Sequence, residues 1–204
     1  MTQARMIALW VAVACAMVLA FLFLKGREAV TSGDASGLPD RATRPPLGRA
    51  LSSPRIVIVK SARRLTLFSD GEPVRTYAIG LGFAPEGDKR REGDGKTPEG
   101  AFTVCVKNPN SRFTLSLGLS YPSVDDAARG LADGAITRDE HDAIVRAIGA
   151  GKTPPWKTAL GGEIFIHGSG AASDWTLGCI ALDDEDIREL YPLIPVGTPV
   201  TIDP

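Results

Sequence analysis

Beyond residue 54 the chain alternates apolar and polar positions with a period of two. Arg55-Ile56-Val57-Ile58-Val59 and Leu65-Thr66-Leu67-Phe68 are short, bulky, partly β-branched runs that predict strands. Ser69-Asp70-Gly71-Glu72 has the chemistry of a hairpin turn, and Pro73 to Leu81, with Val74, Tyr77 and Ile79, predicts a third strand. The region therefore opens as a β-meander. Ala101 to Val106 alternates like a strand and Phe113 to Ser120 reads as extended. Residues 162–167 (Gly-Glu-Ile-Phe-Ile-His) and Val196 to Ile202 add two more strands.

Between them the period lengthens. Val124 to Leu131 reads as a short helix. Ile136 to Ile148 is better marked: Thr137 and Glu140 have capping-box spacing, and His141, Ile144, Val145 and Ile148 fall at i, i+3, i+4 and i+7. His141 is thus expected on a packed helix face. Residues 121–160 form a helical insertion between strands. A last helix begins at Leu182-Asp183-Asp184-Glu185-Asp186, with acidic residues suited to the helix dipole and an apolar face from Ile187, Leu190, Tyr191 and Ile194. The expected fold is mostly β with a few helices, built on a sandwich or barrel-like sheet.

The N-terminus follows another pattern. Met6 to Leu24 is nineteen residues without a charge, flanked by Arg5 and by Lys25-Gly26-Arg27. As a helix it would span about 28 Å, near the thickness of a bilayer's hydrocarbon core. A cleaved signal peptide is the competing reading, but Leu22-Phe23-Leu24-Lys25 lacks a small-residue cleavage site. The division expected is a transmembrane anchor or signal segment at 1–24, a linker at 25–54 rich in Gly, Ser, Pro, Arg and Asp, and a catalytic-size domain at 55–204.

Charge narrows the partners. The 204-residue chain has a net charge of -1. The linker carries five Lys/Arg against three Asp/Glu, and the domain seventeen against twenty-one. This gives no footprint for nucleic acid. The loop from Pro85 to Gly100 contains Gly95-Lys96-Thr97, but Arg90 stands where a phosphate loop needs its first glycine, and a strand rather than a helix follows. Its Lys89, Arg90, Arg91 and Lys96 read as a solvated charged loop, with substrate carboxylates as the lesser alternative.

Candidate chemistry converges on His167 and Cys179, twelve residues apart. A short apolar strand ends in His167-Gly168, and Gly178-Cys179 leads into Ile180-Ala181-Leu182. A free thiol has a pKa of about 8.5, so a nearby imidazole that takes its proton turns it into a nucleophile. An inert buried thiol beside a strand-end histidine is the plainer reading. With two histidines and three cysteines the chain lacks a typical zinc set, so no metal and no cofactor are expected. Cys15 lies in the apolar segment. A bridge between Cys105 and Cys179 would silence the latter.

The surroundings of the pair add a resemblance. Ile166-His167-Gly168, then Thr176-Leu177-Gly178-Cys179-Ile180-Ala181-Leu182, Asp186 and Leu190, and Gly197-Thr198-Pro199-Val200 resemble the L,D-transpeptidase (YkuD-type) catalytic domain of bacterial cell-wall enzymes. The upstream run from Gly93 to Phe102, Gly-Asp-Gly-Lys-Thr-Pro-Glu-Gly-Ala-Phe, resembles the family segment that leads into a strand. The resemblance covers roughly residues 55–203. The family pattern around the cysteine is Ser-His-Gly-Cys, an apolar residue, then Arg. Here Thr176 replaces the serine, Leu177 the histidine and Ala181 the arginine, which marks a divergent branch.

The resemblance implies an L,D-transpeptidase-type β-sandwich or barrel-like domain outside the cytoplasm, with peptidoglycan stem peptides as substrates. It implies Cys179 as nucleophile and His167 as base, with the Gly168 carbonyl orienting the imidazole. Backbone N–H groups near Gly178 and Cys179 are candidates for an oxyanion site. Ser169, Ser173 and Trp175, lying between His167 and Cys179, read equally as the mouth of a substrate pocket or as ordinary loop polarity with one packed aromatic, and Thr176 is a further substrate-binding candidate. The domain would sit in the periplasm, tethered to the inner membrane through residues 6–24, although flanking charges alone lean to the opposite orientation. Transfer of the acyl group to an amine acceptor, for cross-linking or lipoprotein attachment, is the leading expectation. Hydrolysis of the same substrates and a non-catalytic wall-binding module are the alternatives.

Overall fold

The computed structural model describes Leu38, residues 41–48 and residues 50–204. The expected membrane segment at 6–24 and most of the linker lie outside the described residues. The chain divides into two units, Met1–Arg44 and Pro45–Pro204. In the first, Arg41–Thr43 forms a single 3-10 turn. The rest of the account concerns the second.

Strands β1 (Arg55–Val59), β2 (Arg64–Ser69) and β3 (Glu72–Ala78) form the expected meander. Alternation aims Ile56 and Ile58, then Leu65 and Leu67, into the core. Asp70 and Gly71 both have positive φ, as a two-residue hairpin turn between right-twisted strands requires. The remaining strands are β4 (Gly100–Asn108), β5 (Ser116–Leu119), β6 (Phe165–His167), β7 (Ile180–Ala181) and β8 (Pro199–Asp203). They join one eight-stranded sheet in the order β3-β2-β1-β8-β4-β5-β6-β7. The C-terminal strand therefore inserts between β1, parallel to it, and β4, antiparallel to it.

The two ends of this curled sheet meet. The chain leaving β3 forms an isolated bridge from Gly80 to Ala181 in β7, with N–H···O distances of 2.9 and 2.8 Å, and a second from Gly82 to Thr176. A single core fills the interior, with Tyr77, Phe102, Tyr121, Ile166, Ile180 and Leu182 among its buried members.

Helices α1 (Val124–Ala132) and α2 (Arg138–Gly149) make the insertion. Thr137 and Glu140 form the capping box read from their spacing, and Ser123 with Asp126 forms another at α1. The pair has its own small core of Ala127, Ile136, Ile144 and Leu160. His141 is half-buried on α2, as its face position implied, and pairs with Asp142. Helix α3 (Asp184–Leu190) seats Ile187 and Leu190 on the main core.

Candidate active site

His167 ends β6, between β5 and β7: it pairs with Ser116 on one side and Ala181 on the other. Its ring is 2 % exposed. Phe113 stacks on it at a centroid distance of 4.5 Å, and Trp175 meets it edge-on at 5.7 Å. Nδ1 lies 2.6 Å from the Gly168 carbonyl oxygen. A carbonyl only accepts, so Nδ1 carries the proton and Nε2 is the basic nitrogen.

Cys179 directly precedes β7. Parallel pairing sets Ile166 opposite Ile180, and both turn into the core. Side chains alternate along a strand, so Cys179 lies on the other face, the face that also carries Phe165 and His167. The thiol is half-buried. Sγ accepts from the Phe165 N–H at 3.4 Å and donates to the Glu163 carbonyl at 3.5 Å. Cys105 is also free, half-buried on β4, and donates to the Gly118 carbonyl.

The turn before the cysteine is held by Thr176. Its hydroxyl donates to the Cys179 carbonyl at 2.8 Å and accepts from the Gly178 N–H at 3.1 Å. Thr176 is 4 % exposed, so the structure places it inside the turn before Cys179, with no exposed surface to offer a substrate. The Gly178 N–H is engaged there, which leaves the Cys179 N–H as the stronger oxyanion candidate of the two. Gly178 itself has φ +131°, and a Cβ would come within 2.6 Å of the Lys96 carbonyl oxygen, so no side chain fits. Ser169 and Trp175 are exposed near His167, and Trp175 donates to the Gly170 carbonyl.

The contact with Lys96 gives the upstream segment its role. It backs the turn before Cys179. Asp94 organises it by accepting from the N–H groups of Arg90, Arg91 and Lys96 and from the Lys89 ammonium at 2.8 Å. Lys89 is 3 % exposed and also donates to the Arg91 carbonyl, so it is a buried structural cation and not part of a solvated run. Arg90 and Arg91 are exposed as expected, while the Lys96 ammonium reaches the Glu86 carbonyl.

Electrostatics leave both partners neutral at rest. Burial pushes the His167 imidazole below the usual histidine value; the Gly168 carbonyl opposes this and Arg112 adds to it. Burial pushes the Cys179 thiol up, against the lowering effects of the Phe165 N–H and the Lys89 ammonium, while Glu163 raises it further. Among the described residues no group of three or more His, Cys, Asp or Glu is disposed to hold a metal.

The family model of the YkuD L,D-transpeptidase catalytic domain matches residues 53–202. The chain belongs to the L,D-transpeptidase catalytic domain family. Among solved structures it is similar to the helical cell shape determining protein Pgp2 from Campylobacter jejuni, in a mutant form, with TM-score 0.51 and 24 % identity over 74 % of this chain and 47 % of that one. Bdellovibrio bacteriovorus Bd1075 follows with TM-score 0.49, 20 % identity, and coverage of 74 % and 48 %. An L,D-transpeptidase from Mycobacterium smegmatis gives TM-score 0.45, 14 % identity, and coverage of 75 % and 59 %. At these identities the likeness speaks to the fold. The chain spans about half the length of the first two. No curated protein sequence matches it.

Against the L,D-transpeptidase pattern two departures stand out. Leu177, in the histidine position, is 76 % exposed on the turn before Cys179. Ala181, in the arginine position, is fully buried in β7, opposite Gly80. Sequence reasoning overlooked Phe113, which stacks on His167 from the turn before β5 rather than from the extended run expected from Phe113 to Ser120, and the doublet Asp183-Asp184. Those two carboxylates accept from Ala171 N–H and Ser169 N–H, so they grip the loop between His167 and Cys179 as well as opening α3. An acidic pair placed directly after the cysteine's apolar strand was the available signal.

Proposed function

We propose that this L,D-transpeptidase domain is a cysteine acyltransferase acting on peptidoglycan stem peptides, with Cys179 as nucleophile and His167 as base. The observation that carries the reading is the Nδ1–H bond to Gly168, which leaves Nε2 basic on the sheet face that also bears Cys179. Nε2 accepts the thiol proton as Sγ attacks the peptide carbonyl, so the C–S bond forms while the carbonyl electrons move to oxygen. The Cys179 N–H faces that oxyanion. Collapse expels the amine, which takes the proton from Nε2, and leaves a thioester. An acceptor amine then attacks, giving up its proton to the same nitrogen and returning the thiol. If water attacks instead, the product is a shortened or released stem, and the enzyme is a hydrolase.

The family supports a role at peptidoglycan and hence in the cell envelope. The uncharged run at 6–24 supports an inner-membrane anchor, and the family supports a domain on the periplasmic side of it. Among the described residues no helix is long and apolar enough to cross a membrane, and that run lies outside them. Incubation of the protein with purified muropeptides, followed by mass analysis, separates the outcomes. New links between two diaminopimelate residues identify the transferase, and shortened stems alone identify the hydrolase. An unchanged muropeptide profile contradicts both.

A further inference from the structure

The peptide bond between Gly168 and Ser169 is gripped at both ends. Its carbonyl accepts from His167 Nδ1 at 2.6 Å, and its N–H donates to Asp184 Oδ1 at 2.8 Å. The two groups belong to one rigid plane and point in opposite directions. Whatever fixes the N–H therefore aims the carbonyl.

The same carboxylate oxygen accepts from Thr114 Oγ1 at 2.7 Å. Thr114 and Ser169 are both non-glycine residues held at positive φ, +72° and +82°. Such backbone is retained only where the surroundings over-determine it, and here both residues converge on one oxygen atom. Gly168 fits the arrangement because a Cβ would stand 2.5 Å from that oxygen. The far oxygen, Oδ2, faces Arg188 at 3.7 Å, too long to compete with the short bonds on Oδ1.

We infer that Asp184 is a positioning residue for the base, acting through the Gly168–Ser169 peptide: it locks the plane that holds His167 in its Nδ1–H form. A negative charge at the N–H end also draws electron density toward the carbonyl and strengthens its grip on the imidazole. The usual acidic partner of a catalytic histidine is thus present, one peptide unit removed. The inference rests on the reading of His167 as the base, but its structural half, the tautomer, can be measured without any activity.

The chain has two histidines, His141 and His167, so nitrogen-labelled imidazoles in the full chain are readily told apart, and His141 serves as an internal reference. Asp184→Ala is expected to lower the share of the Nδ1–H form at His167. It is also expected to slow acylation of Cys179 by a carbapenem-type acyl donor by about 10- to 100-fold in kcat, with KM little changed, the scale of a misplaced catalytic group. Asp184→Asn keeps an oxygen for the Ser169 N–H. It is expected to hold the tautomer and most of the rate, with the His167 titration moved to lower pH as the charge is lost.

The other charges facing this assembly are Arg112, which lowers the imidazole value, and Asp183 and Arg188, all retained in both variants. A folded Asp184→Ala protein with wild-type tautomer, whether or not it is slowed, overturns the inference. If that variant does not fold, an unmoved His167 titration in Asp184→Asn overturns it instead. Persistence of turnover in Cys179→Ala strikes the catalytic reading alone, since the tautomer measurement stands apart from it.

Discussion

Thr176 shows how one hydroxyl fixes the turn that presents Cys179. It closes the turn by donating to the carbonyl of Cys179 and accepting from the N–H of Gly178. Thr176→Ser keeps both bonds and is expected to retain activity. Thr176→Val removes both and leaves buried backbone groups unpaired, at a cost of about 1–3 kcal/mol in stability, readable by chemical denaturation, with acylation slowed as the turn relaxes. The proposed base, His167, has its own signature. A lowered His167 value means that the imidazole stays neutral further into acid, so the acidic limb of the rate profile should fall below the ordinary histidine value of about 6.5. An acidic limb at or above that value contradicts the neutral, buried base.

At the scale of elements, the loop from Asp88 to Glu99 works as a buttress, and Asp94 is its organising group. Burial opposes ionisation of Asp94, but the Lys89 ammonium and the N–H groups of Arg90, Arg91 and Lys96 outweigh it and hold the carboxyl down to about 2. A lowered carboxyl contributes stability that is full above its unfolded value of about 3.9 and is lost as pH falls toward 2. Asp94→Asn should therefore cost about 2 kcal/mol at neutral pH, with the gap to the wild type closing in acid. The insertion is braced to the same loop. Arg129 on α1 pairs with Asp126 and Asp88 and donates to the Lys89 carbonyl. Its small core makes Ile144→Ala a local test, expected to cost about 2–4 kcal/mol and to raise amide exchange in α1 and α2 before the sheet.

Across the whole molecule, what could be read from the chain was what neighbours in sequence decide. The meander, its Asp70-Gly71 turn and the Thr137 capping box all depend on spacings of a few residues, and each stands where the pattern put it. The assembly of the sheet was not legible in this way. Ile56 pairs with Val200, and Gly80 closes on Ala181, because long-range packing selects among strands whose local patterns are alike. The same limit applied to charge. Lys89 sits in a run that reads as solvated, and only the fold reveals that Asp94 and a carbonyl enclose it. At the candidate site, His167 and Cys179 stood out in the sequence because few thiols and imidazoles exist in the chain and glycines mark both. Phe113 and Asp184 did not, since an aromatic that reads as part of a strand and an acid at a helix start have ordinary structural uses.

The central claim is that Cys179 carries the acyl group. Treating the full chain with a carbapenem-type acyl donor and mapping the adduct by peptide mass tests it directly. The account predicts one acyl group on the peptide containing Cys179, absent in Cys179→Ala and strongly slowed in His167→Ala. An adduct on Cys105, or muropeptide turnover that persists in Cys179→Ala, would contradict it.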